Sequence, residues 1–195
     1  MDITVYVGAL VALFVIIDPI GMALIFHSLI GEGRKRQIVA LKACSISAVL
    51  LVLFGNYGEA LLSQLGISIH AFKISGGVLL FYTAFRMVTS SLEFDRPEKG
   101  GDISVFPLSI PLLSGPGSLT VSILLFSRVD SNAGELSVFF AIVTICLLTL
   151  MLMLASSYVK PIVGVIGDEV LKRFLGMLLA ALAIQFMLDG LRAVT

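Results

Sequence analysis

Two short stretches carry the residues whose types and spacing could do chemistry: Asp18-Pro19-Ile20-Gly21 and Ser114-Gly115-Pro116-Gly117-Ser118. Each sets a proline inside an apolar run. There it removes a backbone donor and clashes with the preceding turn, so a helix breaks or kinks. Each stretch also reads as a fresh helix start, with Asp18 or Gly115 in the N-cap place and Pro19 or Pro116 at the first helical position. A helix N-terminus presents unpaired N–H groups and the positive end of the helix dipole, which together suit an anion. Asp18 adds a carboxylate about 15 residues into its run. Placing such a group at bilayer depth costs about 2.5–3.5 kcal/mol, so it marks an ion or solute path by default. It also fits as a cap for the half-helix that starts at Pro19, and the two roles are compatible.

Around these breaks, Gly21, Ser114, Gly117, Ser118 and Thr120 allow close backbone approach and supply hydroxyls, although small residues also pack membrane helices together. Asn56, in the second apolar run, either joins a polar cavity or bonds locally near the end of its span. The expected binding set is therefore Asp18, Pro19, Gly21, Asn56, Ser114, Gly115, Pro116, Gly117, Ser118 and Thr120. Gly76 and Gly77 read as packing residues. Gln185 lies deep in the last run and its amide needs a partner, for which an interhelical bond is expected. Lys73, Arg86 and Asp189 lie near span ends and read as interfacial anchors.

The elements that must position these residues follow from composition. Of 195 residues, 58% are hydrophobic and 13% charged, with a mean hydropathy of +1.07, too apolar for a water-soluble domain to bury. Apolar runs near 3–30, 38–62, 71–92, 103–127, 135–159 and 171–194 are each long enough to cross about 30 Å of hydrocarbon. The expectation is an all-α, polytopic membrane protein with six transmembrane helices. The N-terminus lacks the basic region of a cleavable signal peptide, so the first helix is expected to be retained. With the N-terminus outside, the inner side holds Arg34, Lys35, Arg36, Lys42, Arg86, Arg96, Lys99, Lys160, Lys172 and Arg173. The outer side holds only Lys73, Arg128 and Arg192. Basic loops stay on the cytoplasmic side, so both termini are expected outward.

The polar stretch 93–102 divides the chain into repeats at 1–92 and 103–195. Three spans per half means that the second half enters the membrane from the opposite side. Echoes in order support an inverted repeat: the two proline motifs are offset by 97 residues, and Gly76 with Gly176 and Met87 with Met187 by 100. The first and fourth helices would then be broken at mid-membrane prolines, and two helix N-termini could converge on one central point.

Several chemistries find no support. Cys44 and Cys146 lie in apolar runs and read as small buried hydrophobes. His27 and His70 have no acid or cysteine at ligand spacing. No nucleophile–base pair stands out, and no Gly-rich phosphate loop with Lys is present, so neither enzymatic activity nor direct ATP coupling is expected. A formal charge of zero without a basic cluster beyond three residues leaves nucleic acid no footprint.

The sequence resembles the MarC family of inner-membrane proteins, within the wider LysE-like exporter group. The likeness rests on Asp18-Pro19-Ile20-Gly21, on Phe72-Lys73-Ile74-Ser75-Gly76-Gly77, and most specifically on the block from Pro107 to Ser118, Pro-Leu-Ser-Ile-Pro-Leu-Leu-Ser-Gly-Pro-Gly-Ser. It departs where family members often carry Asn and then Pro, at Met22-Ala23-Leu24. The resemblance implies a six-span inner-membrane protein that moves small neutral amino acids. Together with the paired breaks it leads to an expected secondary transporter. The substrate carboxylate would sit at the helix starts after Pro19 and Pro116, and Asp18 would face its ammonium or carry a coupling H⁺ or Na⁺. No other cofactor is expected; the partners are the lipid bilayer and the small-molecule substrate, and a homo-oligomer stays open. The competing expectation is a non-transporting scaffold for a protein partner or lipid, in which Asp18 and both breaks would be packed dry.

Overall fold

The computed structural model describes residues 1–30, 35–89 and 102–193. Arg34, Arg96, Lys99, the 93–101 stretch and Thr195 lie outside the described residues, as does the Lys160 side chain. The described chain is helical: α1 (Ile3–Ile17), α2 (Pro19–Ile30), α3 (Arg36–Gln64), α4 (Ile69–Thr89), an irregular segment Ser104–Leu113, α5 (Pro116–Phe126), α6 (Asn132–Leu154) and α7 (Ser156–Arg192).

Among the described residues, five stretches are long and apolar enough to cross a membrane: Ile3–Ile30 taken through its interruption, Arg36–Gln64, Ile69–Thr89, Asn132–Leu154 and Glu169–Arg192. Ser104–Leu113 with Pro116–Phe126, bent by 56°, makes a sixth when the pair is counted as one span. The chain is thus an all-helical polytopic protein of five to six candidate spans. α7 begins well before the expected sixth run. It continues through Pro161 and turns at Gly164, whose φ of 62° and ψ of 177° suit a residue without a Cβ.

The local reason for the irregular elements is proline. Its ring disfavours the α conformation of the residue before it. Phe106 (φ −128°, ψ 124°) before Pro107 and Ile110 (φ −122°, ψ 122°) before Pro111 are extended, as is Gly115 (φ −76°, ψ 172°) before Pro116. Asp18 before Pro19 is left-handed (φ 47°, ψ 70°). Between Ser104 and Leu113 the missing proline donors leave wide turns, with Ser114 N–H donating five residues back to Ser109 O at 2.8 Å.

The spans do not pack in chain order. α1 and α2 lie chiefly on α6 and α7, Ser104–Leu113 and α5 lie on α3, α3 also meets α6, and α4 runs along α7. Small residues let these backbones close up. A Cβ on Gly77 would stand 2.6 Å from Met187 Cγ and 2.8 Å from Ala183 O, and one on Gly76 2.2 Å from Thr120 Cγ2. Both are packing residues, in keeping with their reading from sequence. Leu13, Leu51, Leu80, Leu124, Ile142 and Leu179 are fully buried between the helices. Val11, Val49, Phe85, Met151 and Phe174 are exposed on the outside, as suits a body solvated by lipid. Cys44 and Cys146 are buried free thiols.

Candidate functional site

The α1–α2 interruption is built by Asp18 itself. Its N–H donates to Phe14 O at 3.1 Å and its C=O accepts from Met22 N–H at 2.9 Å, so one left-handed residue ends one helix and begins the next. Its carboxylate Oδ1 accepts from Gly21 N–H at 3.0 Å. Asp18 therefore caps α2, one of the two roles open to it from sequence.

The interruption before α5 is closed differently. Gly115 occupies the N-cap position and offers no side-chain acceptor. Ser118 Oγ donates to Leu113 O at 2.8 Å, which ties the bend from inside, and Thr120 Oγ1 donates to Pro116 O at 2.8 Å. Ser114 is 2% exposed, and its hydroxyl has no partner among the described residues. The two helix starts are thus unequal: α2 carries its own carboxylate, whereas α5 keeps an uncapped N-terminus beside a buried unpaired hydroxyl.

Asp18, Gly21 and Pro116 line one cavity of about 260 Å³. Its wall is completed by Ile16, Ile17, Met22 and Ile25, by Pro111 and Leu112, by Tyr82, Thr83, Arg86 and Met87 of α4, and by Lys172 of α7. On α2 the lining positions Gly21, Met22 and Ile25, and on α4 Tyr82, Thr83, Arg86 and Met87, each fall on one helical face. Ser114, Gly115, Gly117 and Ser118 flank Pro116 without lining the cavity. Gly117 packs on Ile16 and Leu80, and Gly115 on Pro111 O. Pro19 is buried at the start of α2. Asn56 stands apart on the exposed side of α3, its amide donating to Val52 O at 3.0 Å.

Arg86 and Lys172 were not among the expected site residues. The signal for Arg86 was a cation within a largely apolar run, which also reads as an interfacial anchor. Only its tertiary placement in the cavity that Asp18 also lines separates the two readings. Among the described residues, no carboxylate pairs with Arg86. Lys172 engages another group.

Two polar knots lie away from the cavity. Arg36 is buried beneath the α6–α7 corner, donating to Ser157 Oγ at 2.7 Å, to Met153 O at 3.0 Å and to Ser156 Oγ, with its guanidinium 5.4 Å over the Phe26 ring. Gln185 Nε2 donates to Asp189 Oδ1 at 2.7 Å, and Asp189 pairs with Arg128 at 3.2 Å. The Gln185 bond therefore runs within α7, one turn on, rather than between helices. Asp189 then carries the link across to Arg128. Among the described residues there is no cluster of three or more His, Cys, Asp or Glu able to hold a metal ion.

These features define a multi-pass, all-helical integral membrane protein with a cleft lined by apolar side chains together with Asp18, Arg86 and Lys172. The chain belongs to the MarC family of integral membrane proteins, whose profile matches residues 3–195. A UPF0056 membrane protein of Methanocaldococcus jannaschii is 32% identical over 98% of this chain and 89% of its own length. One of Aquifex aeolicus is 30% identical over 96% and 92%. The UPF0056 membrane protein YhcE of Escherichia coli is 29% identical over 99% and 94%. No solved structure matches the chain.

Proposed function

We propose that the chain is a secondary transporter that moves a small amino-acid-like solute across the inner membrane by alternating access. The observation that carries this reading is the cavity in which Asp18 and Pro116, from interruptions in the two halves of the chain, meet Arg86 and Lys172. A cavity lined in part by Asp18, Arg86 and Lys172 argues against a scaffold whose breaks are packed dry. The uncapped start of α5 would take a substrate carboxylate, and Asp18 would face the ammonium or carry H⁺ or Na⁺. The start of α2, already capped by Asp18, is left out of that role. The simplest solute with both groups is a neutral amino acid.

The packing pattern supports an inverted repeat. Exchanging the halves turns the contact of the first span with the fifth into that of the fourth with the second, and maps the third–sixth and second–fifth contacts onto themselves. Any pseudo-two-fold relation between the halves has that signature, and an odd number of spans per half is what would put the axis in the membrane plane. The basic-residue bias supports both termini outside, and the cleft then faces the cytoplasmic half, where Arg86 and Lys172 fall. Counterflow of a panel of radiolabelled amino acids in proteoliposomes tests the reading. At least one is expected to exchange, and inertness of the whole panel in folded protein would overturn it.

A further inference from the structure

We propose that the cleft selects an amino acid with a bulky apolar side chain, and that Ile17, Met22 and Met87 form the surface that receives it. This rests on the transporter reading above and names its substrate class. The wall is sorted by accessibility. Ile17, Met22 and Met87 line the cavity and are 3%, 3% and 7% exposed, so the side chains on its buried part are aliphatic or thioether. Tyr82, Arg86 and Pro116 line the same cavity and are exposed. A zwitterion in such a site keeps its charged end toward the exposed part, where water and a guanidinium solvate it, and turns its side chain inward.

The inward part of the wall rewards apolar surface and penalises polar groups. Each methylene that it takes out of water contributes about fourfold in affinity, and a cavity of about 260 Å³ has room for more than a methyl group. A hydroxyl or amide turned inward would instead give up its bonds to water. The Gly21 N–H, next in the chain to Met22, offers no replacement, because Asp18 Oδ1 already takes it at 3.0 Å. Met22 comes from α2 and Met87 from α4. Their unbranched thioether chains adapt to partners of different shape, which suits a class of apolar side chains rather than a single one.

Competition against radiolabelled leucine counterflow, with the full chain in phosphatidylcholine vesicles, tests this with unlabelled alanine, serine, leucine, phenylalanine and 4-methylpentanoate, which is leucine without its ammonium. Leucine and phenylalanine are expected to half-inhibit at concentrations about tenfold or more below alanine and serine. Met22→Gln and Met87→Gln keep the side-chain length and add an amide, and each is expected to lower the leucine-to-alanine ratio about tenfold. Met22→Leu conserves volume and polarity and should preserve the ratio, with thermal unfolding run in parallel on every variant. Equal inhibition by alanine and leucine, or an unchanged ratio in both folded Gln variants, overturns the inference while leaving the transporter reading in place. Inhibition by 4-methylpentanoate as strong as by leucine also overturns it, because the cleft would then be reading an apolar acid or a lipid rather than an amino acid. If leucine does not exchange but another amino acid does, only the inference falls; if none exchanges, both readings fall. The wild-type series decides the matter should a Gln variant not fold.

Discussion

The Asp18 carboxylate straddles Gly21: Oδ1 accepts the Gly21 N–H at 3.0 Å, and Oδ2 stands 2.2 Å from where a Gly21 Cβ would be. A methyl group there must push the carboxylate off its bond. Gly21→Ala is therefore expected to destabilise the protein by about 1–3 kcal/mol, the usual range for overpacking a tight site, and to impair transport by displacing Asp18. Thermal unfolding in detergent with a parallel exchange assay checks this. Full stability together with full activity would mean that Asp18 does not need this pose.

Charge and cap at Asp18 can be separated. Asn tolerates the left-handed backbone and keeps an acceptor for Gly21 N–H, so Asp18→Asn should fold normally while losing solute exchange. Ala supplies neither property, and Asp18→Ala is expected to lose about 0.5–2 kcal/mol from the missing cap alone. If Asn and Ala reduce stability equally, the capping role is wrong. If Asn retains exchange, the charge has no part in it.

The spans were legible because lipid solvation demands long apolar runs, and even the least hydrophobic one, Ile69–Thr89, lies within a few residues of its expected place. The breaks were legible for a local reason, since proline acts on its own neighbours. What was hidden is which faces meet. A membrane helix is apolar all round, so periodicity does not say that α4 turns Gly77 to α7 or Arg86 into the cavity that Asp18 lines. For the same reason Gln185 promised a partner without naming one, and Asn56 looked like a candidate for the cavity although its helix turns it outward.

The α4–α7 contact offers a stability test independent of function. Gly77→Val would drive a branched side chain into Met187 and the Ala183 carbonyl, where backbone cannot yield as a side-chain tip can. A loss of about 1–3 kcal/mol or more is expected, read as a lowered unfolding midpoint. Val placed at Gly8, where a Cβ meets nothing within 4 Å, should be nearly silent. Similar effects at the two sites would contradict the close crossing.

A pH effect is expected at the entry to the fourth span. The Asp102 carboxyl is held below its ordinary value of 3.8, first by the Ser104 hydroxyl at 2.5 Å and the Ser104 N–H at 3.0 Å, and then by Lys42 at 3.5 Å. Because the folded value is the lower one, its stabilisation is fully present above 3.8 and is lost as pH falls through the folded value. Ser104→Ala removes the largest cause. The Asp102 carboxyl resonance in a ¹³C titration should then move back up toward 3.8, and an unmoved midpoint would show that Ser104 does not set it.

The last prediction concerns orientation, on which the cytoplasmic facing of the cleft depends. With the N-terminus outside, the α3–α4 turn at Gly66–Ser68 and the α5–α6 turn at Ser127–Ser131 lie outside, and the 93–101 stretch lies inside. Single cysteines at Ser68, Ser131 and Ser91, in a chain whose Cys44 and Cys146 are replaced by Ser, report this without any knowledge of substrate. In intact spheroplasts an impermeant maleimide is expected to label positions 68 and 131 and to spare 91 until the membrane is opened. The reverse pattern would turn the cleft outward while leaving the repeat intact. Labelling of 68 and 91 from the same side would do more damage, because it removes one crossing from the first half. The two halves would then no longer be inverted, and the start of α5 could not face Asp18 across a membrane midplane.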